Sequence, residues 1–141
     1  MFSASCHYGL QAMLYIAKRS AETENIELNE ISESQQIPKF FLSKILQQLV
    51  KGKLLVSMRG PNGGFRLNGS PRQICLIDVI RIIDGLDIFD QCGIGDTSCN
   101  PKDYCPIHEE FSKQRECVFR LFSETSLGCL SDKKSIKQSF N

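Results

Sequence analysis

Three cysteines and a histidine crowd one stretch of the chain, Cys92-x6-Cys99-x5-Cys105 followed by Pro106, Ile107 and His108. Thiolate and imidazole are the soft to borderline donors that hold zinc or iron–sulfur clusters. The residues between them are rich in Gly, Asp and Pro, so three sulfurs can converge on one centre. The spacing lacks the paired C-x2-C knuckles usual in structural zinc sites, and taken alone it admits either metal form. Three unligated thiols in a loop are the ordinary alternative, an unattractive one because exposed thiols oxidise. The chain has 7 cysteines in all, the others being Cys6, Cys75, Cys117 and Cys129. An odd count, and no basic flank leading an apolar stretch at the N-terminus, argue against a disulfide framework and for a reducing, cytoplasmic setting. Cys75, Cys117 and Cys129 stand among apolar neighbours and read as small core or dimer-interface residues. Cys6 adjoins His7 at a helix start, where the helix dipole is expected to favour its thiolate.

A second group of residues has the chemistry to hold a polyanion. Residues 36–77 carry Lys39, Lys44, Lys51, Lys53, Arg59, Arg66 and Arg72 and no carboxylate. The flanking segments are both net acidic, and the whole chain sums to only +1. Positive charge confined in this way predicts one electropositive face, the footprint of nucleic acid binding. Solvated lysine-rich surfaces normally mix in Glu and Asp; this segment does not.

The elements that must position these groups follow from periodicity. A chain of 141 residues fits one compact domain, and no apolar run is long enough to span a bilayer. Leu10, Met13, Leu14 and Ala17 mark a helix over about 3–19, and Leu28 and Ile31 a short helix ending near Gln35. Pro38 restarts a helix to Lys51, with Phe41, Leu42, Ile45, Leu46 and Leu49 as its apolar stripe and Gly52 as its stop. Leu54–Met58 and Phe65–Leu67 read as strands joined through Gly60-Pro61-Asn62-Gly63-Gly64, where Asn-Gly and Gly-Gly accept positive φ. A mostly buried helix over about 76–85 precedes a long low-hydrophobicity loop, residues 86–107. A further helix spans about 108–125, and the polar tail from Ser131 is expected to fray.

Two helices joined by a short turn and followed by a glycine-tipped hairpin have the order of a winged helix-turn-helix. The fold expected is mainly α with a small β-hairpin wing and a long C-terminal helix. On the solvent face of the 38–51 helix, Lys39 and Lys44 can neutralise phosphates, while Ser43, Gln47 and Gln48 can bond base edges. Phe40 shares that face. Arg59, beside the small tip Gly60, Pro61, Asn62, Gly63 and Gly64, can enter a narrow minor groove.

These residues resemble the IscR/NsrR/CymR family of bacterial winged-helix transcription regulators. Val56 to Leu67, through Arg59-Gly60-Pro61-Asn62-Gly63-Gly64-Phe65, is similar to that family's wing signature, Arg-Gly-Pro-x-Gly-Gly-aromatic. Tyr8 to Ala17, Ile31-Ser32-Glu33 with Ile37, and the three-cysteine loop support it, and the similarity runs to about Leu130. The resemblance implies a homodimer on a palindromic DNA operator, paired through the C-terminal helix. It also implies a [2Fe-2S] or [4Fe-4S] cluster on Cys92, Cys99 and Cys105, sensing iron, redox state or nitric oxide. The fourth ligand it implies is His108 or, by analogy with the family's nitric-oxide sensors, His7 from the partner subunit. The chain departs from the family where Pro38 and Phe40 replace small polar residues, and in the first gap of its cysteine motif.

The resulting division is a DNA-binding domain over 1–75, a sensing and dimerising region over 76–130, and a flexible tail over 131–141. A thiol-oxidation or zinc-binding regulator without a cluster is one alternative. A small iron–sulfur or metal-binding carrier is the other. No catalytic constellation is present: there is no G-x-S-x-G, no phosphate-cradling glycine loop, and only 2 histidines. An enzyme is not expected.

Overall fold

The computed structural model describes residues 1–91, 94 and 105–132. Cys92, Cys99, most of the loop between them and Cys105, and the tail beyond Asp132 lie outside the described residues.

Helix α1 (Ala4–Arg19) is the centre of the packing. The Ser3 hydroxyl caps it by accepting the Cys6 N–H at 3.0 Å. Its buried face, with Gly9, Ala12, Met13, Ile16 and Ala17, meets every later helix of the head. Helix α2 (Leu28–Gln35) ends where Gln36 turns left-handed at φ 56°. The buried Ser32 then locks the turn: its hydroxyl donates to the Ile37 carbonyl at 2.6 Å, and the Ile37 N–H donates to the Ser32 carbonyl at 3.0 Å. Helix α3 (Lys39–Lys51) leaves this turn with Leu42, Ile45, Leu46 and Leu49 buried. Gly52 closes it because a Cβ there would stand 2.4 Å from the Ile82 side chain; the left-handed residue is the next one, Lys53.

Strands β1 (Leu55–Met58) and β2 (Gly64–Leu67) form an antiparallel hairpin, with Leu55 opposite Leu67 and Met58 opposite Gly64. Phe65 also bridges back to Ile26 in the α1–α2 connection, through paired bonds of 2.8 and 2.9 Å. Gly64 is required there, since its φ is +140° and a Cβ would meet the Ile26 carbonyl oxygen at 2.4 Å. The left-handed positions of the hairpin are Gly60 and Gly64, not the Asn62-Gly63 pair.

A 3-10 turn (Pro71–Gln73) leads into α4 (Leu76–Ile83), whose first turn is closed by Asp78 accepting the Cys75 N–H at 2.9 Å. At its other end Asp84 accepts the Ser3 N–H at 2.9 Å and the Ser3 hydroxyl. A short 3-10 turn, Asp87–Phe89, lies inside the stretch expected to be plain loop. Helix α5 (His108–Glu124) follows, and then α6 (Leu127–Ser131), which periodicity over five residues cannot reveal. The fully buried Leu127 and a bridge between Cys75 and Ser126 return the chain to the head.

Three expectations need correcting. Phe41 is outside the core: it lies a quarter-turn from the buried stripe and is 53 % exposed. Cys117 and Cys129, expected in the core or a dimer interface, are exposed in the protomer, so the core alternative falls and the interface alternative stays. Cys6 is fully buried, and desolvation, followed by the charge of Asp84 and a hydrogen bond to it, pushes its thiol up to about 12. The helix dipole is outweighed, so Cys6 is held as neutral thiol.

A candidate nucleic-acid interface and half of a candidate metal centre

The core-facing positions of α3 are filled by Leu42, Ile45, Leu46 and Leu49. At 100° per residue the opposite side carries Phe40, Lys44, Gln47, Gln48 and Lys51, all exposed, with Ser43 half-buried at the flank. Lys39 is exposed at the start of the helix. The Lys44 ammonium lies over the Phe40 ring, 4.2 Å from its centroid. The hairpin presents Arg59, Gly60, Pro61 and Asn62 to solvent, with Gly63 and Gly64 half-buried behind them. A turn shapes the tip: Gly63 N–H donates to the Gly60 carbonyl at 2.9 Å across Pro61-Asn62. Asn25 fastens that turn by donating to the Asn62 carbonyl at 3.1 Å.

The cations divide in a way the charge count alone does not show. Arg66 pairs with Glu24 at 3.2 Å and Arg72 with Asp132 at 2.5 Å, both across long sequence separations. Such surface pairs add little stability, but they withdraw two charges from the field of the segment. Among the described residues no carboxylate lies within ion-pair distance of Lys39, Lys44, Lys51, Lys53 or Arg59. These five lie on α3, just after it, or on the wing. That arrangement can hold a polyphosphate backbone against helix and hairpin together.

Two of the four expected metal ligands are described. Cys105 is half-buried just ahead of α5, and His108 is the first residue of that helix. The His108 N–H donates to the Cys105 carbonyl at 3.2 Å, so thiol and imidazole share one turn. Cys92 and Cys99 lie outside the described residues, and among those that are described no three potential ligands converge. The donor set, thiol and imidazole beside a helix N-terminus, fits a cluster or zinc. His7 is exposed on α1, its ring edge-on to Phe2 at 6.3 Å.

One residue that sequence reasoning missed sits two turns down α5 from His108. Arg115 is only 7 % exposed, donates Nη1 to the Gln91 carbonyl, and has a buried Nε with no partner among the described residues. Its guanidinium also lies 5.4 Å from the centroid of the Phe111 ring. Arg115 thereby fastens the backbone immediately before Cys92 to α5. Nothing in the pattern of a polar helix distinguishes such an arginine beforehand.

A helix-turn-helix whose second helix is solvent-exposed and basic, followed by a hairpin wing, defines a winged-helix transcriptional regulator. The Rrf2 family model, described as an iron-dependent transcriptional regulator, matches residues 2–133, and the chain belongs to that family. It is 31% identical over 129 residues to the HTH-type transcriptional regulator IscR of Klebsiella pneumoniae strain 342, spanning 92% of this chain and 78% of that protein. A putative HTH-type transcriptional regulator of Aquifex aeolicus is 26% identical over 129 residues, 90% of this chain and 88% of its own length. Among solved structures, CymR, the global cysteine regulator of B. subtilis, superposes with a TM-score of 0.82 at 23% identity, covering 96% of this chain and 98% of that one. IscR of T. potens gives 0.74 at 23% identity, covering 99% and 96%. Regulation of transcription, not catalysis, is the work of these relatives. Among the described residues no helix is long and apolar enough to cross a membrane.

Proposed function

We propose that the protein is a homodimeric, sequence-specific repressor or activator of transcription in the cytoplasm, whose grip on a palindromic operator is set by an iron–sulfur cluster. The observation that carries the DNA reading is the exposed set Lys39, Lys44, Lys51, Lys53 and Arg59 on α3, just after it and on the wing, with no carboxylate within ion-pair distance among the described residues. In this reading Lys39 and Lys44 hold phosphates, and Ser43 and Gln47 meet base edges, with Phe40 on the same side nearer the start of α3. Arg59 reaches the minor groove from the Gly60–Gly64 tip. The cluster reading rests on the donor set and on two names: the family model is described as iron-dependent, and a relative is IscR. Cys92, Cys99, Cys105 and His108 would be the ligands, with His7 of a partner subunit as the alternative fourth. When bound, a cluster supplies a centre that iron supply, oxidants or nitric oxide can remove or modify.

The chain's own residues supply the coupling. Ligation would tie residues 86–107 between α4 and α5, and Arg115 already pins the Gln91 end of that segment to α5. Fixing or releasing the segment biases the orientation of α5, and with it the spacing of two heads over residues 1–75. Anaerobic purification with absorbance, iron and sulfide analysis tests the cofactor. Iron and sulfide in matching amounts with visible absorption are expected. Colourless protein carrying one zinc per chain would replace the cluster with zinc and leave the DNA reading standing. Titration with duplex DNA at several salt concentrations tests that reading, and a steep salt slope plus a sequence-specific component is expected. A carrier protein shows neither.

A further inference from the structure

Resting on the DNA reading above, we infer that Phe40, braced by Phe41, is the specificity-determining residue of this interface and packs on the C5-methyl group of a thymine in the major groove. Phe40 is 66 % exposed and Phe41 53 %. Neither has work in the core, because all four core-facing positions of α3 are taken by Leu and Ile that are buried. Phe40 projects nearly opposite that buried stripe, on the same side as Lys44, Gln47 and Lys51. Two adjacent phenyl groups left in water are a cost the sequence carries unless a partner covers them.

The charge around them selects the partner. Lys39 adjoins the phenyl pair at the start of α3, Lys44 lies over the Phe40 ring, and Lys51 stands three turns further along the same helix; none has a carboxylate within ion-pair distance among the described residues. A patch of this kind suits a surface that is anionic at its rims and apolar at one spot between them. A second protein surface with an apolar groove would need carboxylates at the matching rim positions; a duplex supplies phosphates on both sides of the major groove by construction. Within that groove only thymine presents an apolar group, its methyl. Every other edge presents donors or acceptors, which a phenyl ring would strip of water without replacing the bond. The Phe41 ring stands edge-on to Phe40, 5.8 Å between centroids at 73°. With the Lys44 ammonium on its face, Phe40 is held from two sides before DNA arrives.

The test begins with selection of bound sequences from a random duplex pool by the full chain, purified anaerobically. In the enriched duplex, each thymine is then replaced singly by deoxyuridine, which deletes the methyl and nothing else. One thymine per half-site is expected to show an affinity loss of about fourfold on replacement, the value of one buried methyl-sized group. A Phe40→Ala variant with an unchanged melting temperature is expected to bind the thymine and deoxyuridine duplexes equally. A wild-type protein that binds its selected duplex specifically yet ignores every deoxyuridine overturns the inference and leaves DNA recognition intact. So does a Phe40→Ala variant that keeps the methyl preference. Unchanged DNA binding with an altered sedimentation coefficient in Phe40→Ala would reassign the patch to contact between protein copies. Failure to enrich any sequence removes the DNA reading and this inference together.

Discussion

Ser32 and Cys6 show how a single buried side chain is fixed by its neighbours. Ser32 is a buried polar residue whose hydroxyl reaches the Ile37 carbonyl across the helix-turn-helix bend, where Gln36 is already in the left-handed region. Ser32→Ala leaves that carbonyl without its bond, and a loss of about 1–3 kcal/mol in unfolding free energy is expected from denaturant titration. Cys6 responds to pH. Its thiol is raised from an ordinary 9.0 to about 12 by burial, with Asp84 adding to the shift. The thiolate is thus favoured only in the unfolded chain, so the neutral thiol's contribution is complete below pH 9 and fades as pH climbs towards 12. Melting temperatures measured from pH 8 upward should fall more steeply for the wild type than for Cys6→Ala. Parallel curves would show that Cys6 is not the buried group described.

Among the elements, the wing separates contact from scaffold. Arg59 is exposed and touches no carboxylate among the described residues, so Arg59→Ala is expected to weaken operator binding about tenfold or more with an unchanged melting temperature. Gly64 lies behind the tip at φ +140° with the Ile26 carbonyl against it, so Gly64→Ala is expected to cost about 1–3 kcal/mol and to loosen the hairpin from the head. Thermal melts beside DNA titrations distinguish the two. The same contrast governs what could be read from residue order. Helices α1, α3 and α5 run long enough for a 3.6-residue repeat to register, and the Gly-Pro-Asn-Gly-Gly tip marks the hairpin. Helix α6 and the turn at Asp87–Phe89 are too short for any repeat. Phe41 misleads because it borders Leu42 in sequence yet sits a quarter-turn from the buried stripe. The burial of Cys6 depends on Ile77 and Ile80 of α4, and that of Arg115 on its place beside Gln91, contacts that local spacing does not encode. The cation segment was legible as a block, but only the folded chain shows Glu24 and Asp132 claiming two of its members.

For the whole molecule, the informative surface is α5. Arg115 is its one buried residue, while Leu121 is 61 % exposed and Ile107, Cys117 and Phe119 are also open to solvent in the protomer. Ile107, Phe111, Val118 and Leu121 recur at helical spacing, the stripe that two copies would bury against each other. Leu121→Glu is therefore expected to sediment as a folded monomer and to lose about a hundredfold or more in operator affinity, since two linked heads bind with avidity that one lacks. A dimer that persists in this variant, with full affinity, would place the interface elsewhere.

The short helix α6 gives α5 an unequal footing. At its C-terminal end the chain is riveted to the head: the Leu76 N–H donates to the Thr125 carbonyl at 2.9 Å, the Leu127 N–H donates to Ile74 at 2.8 Å, and Leu127 is sealed in the core. A helix of 17 residues is about 25 Å long. Anchored this way it can act as a lever with its fulcrum beside the head and its far arm at Cys105 and His108. A tilt of about 10° about that fulcrum sweeps the far arm through about 4 Å. Read in reverse, a displacement of a few ångströms at the Cys105 end would reach the head as a rotation about Thr125 and Leu127.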